Sequence, residues 1–410
     1  MPSDRPTFLA SLGVARRINA AGTLTRLGGA LMDETVLAAM AEAATSSVDI
    51  AELQSAASAR IAALTGAEAG LVTSGASAGL TLATAACLAG WDAARMSSLP
   101  DTSAMPSKVL MHRTHRNSYD HAVRLAGAHI VDFGHNDRGT GAGVRGIEPW
   151  EIEAAVDTQT VACVFVASSG NDADLRTVVE VCHRRGLPVI VDAAAQLPPR
   201  ENLRRFTALG ADLVVFSGGK ALGGPQSSGL LIGRRALVGS ALLQMMDMDV
   251  HPRTWAPASL VDTAALKGTP LHGIGRGFKV GKEEIAGLLC ALERFISRDD
   301  EALQAGWAHR LQAMAQALAD VPGLGVRLLP AGAHKAVPML ELRPPVPADR
   351  LCRTLHAMPV PVHLGEGAMD DGVLTLNPMT VRAADDALVV ASIRQAMQAC
   401  AEPDPATPNP

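Results

Sequence analysis

FSGGKALGGPQSSGLLIG, residues 216–233, decides the fold. A lysine, Lys220, follows an apolar run and is wrapped in glycine, serine and alanine. Glycines let backbone approach a ligand closely. A lysine in a water-poor pocket has a depressed pKa and becomes a nucleophile able to form a Schiff base. The plain alternative is a solvated loop lysine, and the small residues around it count against that.

Upstream lies LPVIVDAAAQ, residues 187–196, which places Asp192 at the carboxyl end of an apolar run. Similar short runs alternate with helical stretches. Leu71–Thr73 precedes Ala76–Ala89, Val109–His112 precedes Ser118–Ala126, and Val161–Ala167 precedes Leu175–Arg185; Val189–Val191, Leu213–Phe216 and Gly229–Ile232 follow. This alternation predicts an α/β fold with a largely parallel sheet buried on both faces. Ligands bind at the carboxyl edge of such a sheet. A carboxylate there needs a cationic partner to offset its desolvation, and a protonated pyridine nitrogen would serve. The alternative is a helix N-cap.

Two further segments carry candidate chemistry. LVTSGASAGLTLA (71–83) reads as strand, small-residue turn and helix, so Gly75, Ala76 and Ser77 are placed to face a phosphate at a helix N-terminus. Small residues also make ordinary tight turns. Ser217, three residues before Lys220, adds a hydroxyl to the same phosphate. VLMHRTHRNSYDHA (109–122) follows a strand; it offers His115 as a plate over a cofactor ring, and Arg113, Arg116 and Tyr119 as candidates for substrate anions. A solvated polar loop is the alternative. No histidine pair at helical spacing comes with a third ligand, so no metal is expected.

The 410 residues predict a large domain, 33–295, after an N-terminal arm, 1–32. Helical patterns cover Asp33–Ala44, Ile50–Leu64 and Val280–Ser297. A small α+β domain, 296–401, is expected from Gly323–Leu329, Ala336–Leu342, Ala348–His356, Val373–Leu376 and Ala383–Cys400. Loops are expected at Ala93–Ser107 and 135–146, and a disordered proline-rich tail at 402–410. With 48% hydrophobic and 19% charged residues the chain is globular. A net charge of −5 without a basic run argues against a nucleic-acid partner. Six scattered cysteines, and no apolar run of signal or membrane-span length, predict a cytoplasmic protein.

These segments, with RRINAAGTLTRLGGALM (16–32), VDIAELQSAASARIAALTG (48–66) and GRGFKVGKEEIAGLLCALE (275–293), resemble the fold-type I, aspartate aminotransferase-like enzymes that use pyridoxal 5′-phosphate. Within them they look most like the selenocysteine synthase branch, which contains L-seryl-tRNA(Sec) selenium transferase and D-glucosaminate-6-phosphate ammonia-lyase. The resemblance implies that Lys220 carries the cofactor as a Schiff base and moves protons, that Asp192 pairs with the pyridine nitrogen, and that Ser217 and the 75–77 turn hold phosphate. It places His115 on the ring, Gln196 and Gln226 near the cofactor, and Arg276 and Lys279 at the entrance or at a neighbouring subunit's site. Homodimers or higher assemblies with shared sites are implied.

Two features depart from that branch. The matching core begins near Arg16, which leaves no room for the tRNA-binding domain of the selenium transferases. LTLNPMT (374–380) has no arginine where many such enzymes bind the substrate carboxylate. The expected activity is α,β-elimination on a small amino acid or amino-sugar acid, releasing a keto acid and ammonia. Racemisation, aldol cleavage and transamination are alternatives, followed by selenium transfer and non-catalytic cofactor binding.

Overall fold

The computed structural model describes residues 7–136, 146–332 and 336–401. Most of the 135–146 loop and the whole 402–410 tail lie outside them. The chain divides into two compact units, one of residues 32–297 and one joining residues 1–31 to 298–410.

The larger unit is built on a sheet of seven strands. In chain order they are β2 (Ala69–Thr73), β3 (Lys108–His112), β4 (His129–Phe133), β5 (Thr160–Val166), β6 (Val189–Asp192), β7 (Leu213–Ser217) and β8 (Gly229–Gly233). The spatial order is β2-β8-β7-β6-β5-β3-β4. Pairs from β7 to β4 are parallel, and β8 runs antiparallel to both β7 and β2. A glycine-rich turn rather than a helix joins β7 to β8, and so close a return can only reverse the chain. Strands β2 and β8 are buried throughout, as the apolar runs require.

The helix Ala76–Ala89 is buried from Gly79 to Ala89 apart from Cys87, which fits its apolar character on every side. Gly79 lets it approach the sheet, since a Cβ there would lie 3.0 Å from the Val215 side chain. The helix Asp172–Arg184 is amphipathic, burying Leu175, Val178, Val179, Val181 and Cys182. At the amino edge of the sheet, Asp212 is 3% exposed and anchors three segments. Its Oδ2 accepts the Val189 N–H at 2.8 Å and lies 2.8 Å from His183 Nε2, while Oδ1 accepts from Arg234 at 3.1 Å.

The second unit holds a sheet ordered β1-β11-β12-β10-β9. These strands are β1 (Ile18–Ala20), β9 (Gly325–Leu329), β10 (Met339–Arg343), β11 (Val362–Ala368) and β12 (Val373–Leu376). The segment read as an arm thus supplies an edge strand: β1 pairs parallel with β11, Ile18 opposite Val362. Helices Asp300–Leu318, Ala348–His356 and Asp386–Ala401 complete the unit. Its core includes Ile18, Leu311, Leu340, Leu351, Leu364 and Ile393.

Candidate active site

Lys220 sits in the turn that carries β7 back into β8. Gly218 N–H donates to the Ser228 carbonyl, and Gly224 N–H to the Gly218 carbonyl, both at 2.9 Å. A Cβ on Gly218 would lie 2.0 Å from Ser228 Oγ, so this turn closes only with glycine. Lys220 is partly buried, and burial lowers its pKa while attraction to Asp192 opposes the fall.

Asp192 ends β6, paired in register with Val166 of β5 and Val215 of β7. Burial raises its pKa, against the Ala194 N–H, which donates to Oδ1 at 3.0 Å, and the charge of Lys220. The two groups pull each other toward the ionised pair while desolvation pulls both toward neutrality. A bound cation at this edge relieves the carboxylate.

His115 follows β3 in a short 3-10 turn, Arg113–His115. Its Nδ1 accepts the Val166 N–H at 3.4 Å, and its ring meets the edge of Phe165 at 4.6 Å between centroids. Val166 pairs with Asp192, so the imidazole and the carboxylate flank the same strand end. Burial, then repulsion from His112, lowers the His115 pKa to about 4, with Asp174 opposing. The ring is neutral at physiological pH and presents an uncharged face.

Gly75 caps the 76–89 helix with φ +142°, a conformation that favours glycine. The first bond of the helical ladder runs from Gly79 N–H to the Gly75 carbonyl, which leaves the amides of Ala76, Ser77 and Ala78 ahead of the ladder. Gly229 backs this turn so closely that a Cβ there would lie 2.4 Å from the Gly75 carbonyl carbon. Ser74, which the sequence reading passed over, ties the site together. Its carbonyl accepts from Ser227 at 3.3 Å, and its hydroxyl donates to the Phe278 carbonyl at 2.7 Å. Its place just before Gly75 was the only signal.

The remaining candidates are placed as follows. Ser217 is partly buried at the end of β7. Gln196 closes a turn onto the Ala193 carbonyl, and its own carbonyl accepts from Asn202 at 2.6 Å. Gln226 is exposed and its backbone packs against Gly219. Arg116 lies between two carboxylates. Asp120 at 2.5 Å and Asp132 both hold its guanidinium, so its charge is already matched. Arg113 lines an open cleft of about 540 Å³ beside β4, with Trp150 and Asp132. Tyr119 is 57% exposed. Arg276 pairs with Asp247 at 2.6 Å, and with Lys279 it lines a cavity.

Residues 37–324 match the class-V aminotransferase pattern, and the chain belongs to that family. It is 32% identical over 412 residues to the D-glucosaminate-6-phosphate ammonia lyase of Salmonella typhimurium, covering 97% of this chain and all of that enzyme. A solved D-glucosaminate-6-phosphate ammonia-lyase structure superposes with a TM-score of 0.81 at 30% identity, over 97% of this chain and all of the other. A 5′-C-glycyluridine monooxygenase-decarboxylase from a Streptomyces species is 33% identical over 77% of this chain and 72% of its own. An L-seryl-tRNA(Sec) selenium transferase from Geotalea daltonii is 28% identical over 60% of this chain and 54% of its own.

The chain is a pyridoxal-phosphate-dependent enzyme of the lyase type. The site fits that cofactor. Lys220 offers a partly buried amine, Asp192 a carboxylate whose ionised form burial disfavours, His115 a neutral ring, and the 75–77 turn its leading amides. Among the described residues no helix is long and apolar enough to cross a membrane.

Proposed function

We propose that the enzyme eliminates water across Cα and Cβ of an amino-sugar acid, yielding a 2-keto-3-deoxy acid and ammonia. The carrying observation is the likeness to the ammonia lyase, which runs the length of both chains. Pyridoxal phosphate, when bound, supplies an electron sink for the pair left when the Cα proton departs.

The chain's own residues divide the remaining work. Lys220 would hold the cofactor through its amine and would be freed when substrate binds. Its burial then favours the neutral amine, which removes the Cα proton. Carried on the ammonium, that proton goes to the departing β-hydroxyl. Asp192 would keep the ring nitrogen protonated, the amides of the 75–77 turn would hold the phosphate, and the neutral His115 ring would cover the cofactor face. Overall the Cα–H, Cβ–O and C2–N bonds break, and Cβ takes up a proton as the enamine becomes the imine. The water lost is regained when ammonia leaves C2. Gln196 and Gln226 flank the cofactor in this reading.

The test is ammonia and keto-acid release by purified holoenzyme from a panel of β-hydroxy amino acids and amino-sugar acids, with Lys220→Ala as control. Turnover that Lys220→Ala abolishes, together with its visible cofactor band, is expected. No product from any substrate refutes the proposal. The Streptomyces relative supports a second reading, an oxygen-dependent decarboxylation. Oxygen uptake with release of carbon dioxide distinguishes it.

The same reading makes the enzyme cytoplasmic, with 32–297 as its cofactor-binding unit. It also assembles as a homodimer or higher oligomer with shared sites. Exposed Leu37, Val48 and Ile50 on the larger unit support assembly, and sedimentation tests it.

A further inference from the structure

We propose that a cavity beside the cofactor turn holds an uncharged, hydroxyl-bearing part of the substrate, so that the preferred substrate is a polyhydroxy amino acid without a terminal phosphate. This rests on the amino-sugar-acid reading and narrows it.

The cavity has a volume of about 420 Å³, and its wall includes Asp49, Asp247, Asp249, Trp255, Arg276 and Lys279. Hydrogen bonds fix its position. Ser227, in the Lys220 turn, bonds the carbonyl of Ser74; the Ser74 hydroxyl bonds the carbonyl of Phe278; Lys279 is the next residue and lines the cavity. The cavity therefore begins one residue from the segment that borders the phosphate turn.

Its polar groups ask for a particular ligand. The buried Trp255 Nε1–H and Arg276 Nε–H have no partner among the described residues. Both are donors only, and leaving them unpaired is costly. The carboxylates are acceptors in partial use. Asp247 takes the Arg276 terminal nitrogen at 2.6 Å and the Asp249 N–H at 2.8 Å. Among the described residues Asp49 caps the 50–65 helix through Oδ1 alone, receiving the amides of Ala51 and Glu52. A hydroxyl both accepts and donates, so a chain of hydroxyls meets the indole and guanidinium N–H groups and the free carboxylate oxygens together. Charge decides against a second anion. Three carboxylates in the wall face two cations, and Arg276 is already paired.

The test compares kcat/KM of the holoenzyme for D-glucosaminate, its 6-phosphate and serine, in wild type and in Trp255→Phe, which keeps the ring and removes the N–H. Wild type is expected to favour D-glucosaminate over its 6-phosphate at least tenfold. The preference for D-glucosaminate over serine is expected to fall about tenfold in the variant. A preference for the phosphorylated substrate, or an unaltered preference in Trp255→Phe, overturns the inference. Calorimetric binding of D-gluconate needs no turnover and separates this inference from the elimination reading. Binding weakened at least fivefold by Trp255→Phe supports the cavity even if no sugar acid reacts. Equal or absent binding in both proteins removes the cavity assignment and leaves elimination to be judged on its products.

Discussion

Replacing Asp192 by asparagine is expected to move stability and activity in opposite directions. Burial holds the Asp192 carboxyl above its ordinary value of 3.8, so the empty native protein binds that proton more tightly than the unfolded chain. Its stability therefore falls as pH rises from 3.8 through the raised native value, and at neutral pH the ionised carboxylate works against folding. Asparagine keeps the shape and the acceptor for Ala194 N–H but carries no charge to desolvate. The gain expected for the cofactor-free protein is on the order of 1 kcal/mol, or roughly 2–4 °C in Tm for a unit of this size. Turnover, in contrast, loses the charge that keeps the ring nitrogen protonated, a loss of about 10²–10³ in kcat by analogy with removal of one preorganised electrostatic partner. Calorimetry of the cofactor-free protein between pH 4 and 8, beside steady-state keto-acid release, reads both effects. A variant that melts below wild type without cofactor, or turns over within threefold of it, refutes this account of the pair.

Three other substitutions probe separate links. Asp212→Ala leaves the buried Val189 N–H unpaired and removes the Arg234 contact; a loss of roughly 3 kcal/mol is expected in a urea melt, with the cofactor spectrum retained. Gly229→Ala drives a methyl into the Gly75 turn, and a cofactor Kd raised at least tenfold is expected in an absorbance titration. His115, with its pKa lowered to about 4, is expected to show no imidazole titration by NMR above pH 5.5. Because its native pKa is depressed, the protein loses stability as pH falls from 6.5 toward 4, and His115→Gln flattens part of that slope. His363, also lowered to about 4, accounts for another part.

The placing of Asp192 at the end of one strand and of Lys220 just beyond another was legible because the apolar runs are unmistakable, and a strand end in a parallel sheet is where ligands bind. The Gly75 turn was legible for the same reason. The strand β1 was not, since three residues, INA, carry no period. Nor was β11, whose VHLGEGA contains two glycines and turns Glu366 and Gly367 to solvent. Arg116 shows another limit. Asp120 lies four residues away and a helical spacing suggests the pair, but Asp132 arrives only because β4 lies beside β3. The cavity at Trp255 is assembled from segments around residues 49, 247, 255 and 276, and no local pattern announces such a meeting.

The pairing of β1 with β11 has a consequence for synthesis. Ile18 leaves the ribosome well before its partner Val362 is translated. Residues 32–297 can collapse in the meantime, as domains generally do during translation. The strand β1 meanwhile stays unpaired, waiting for its sheet. Exposed strand edges are templates for foreign pairing, so β1 is vulnerable to aggregation and proteolysis until β11 has been made.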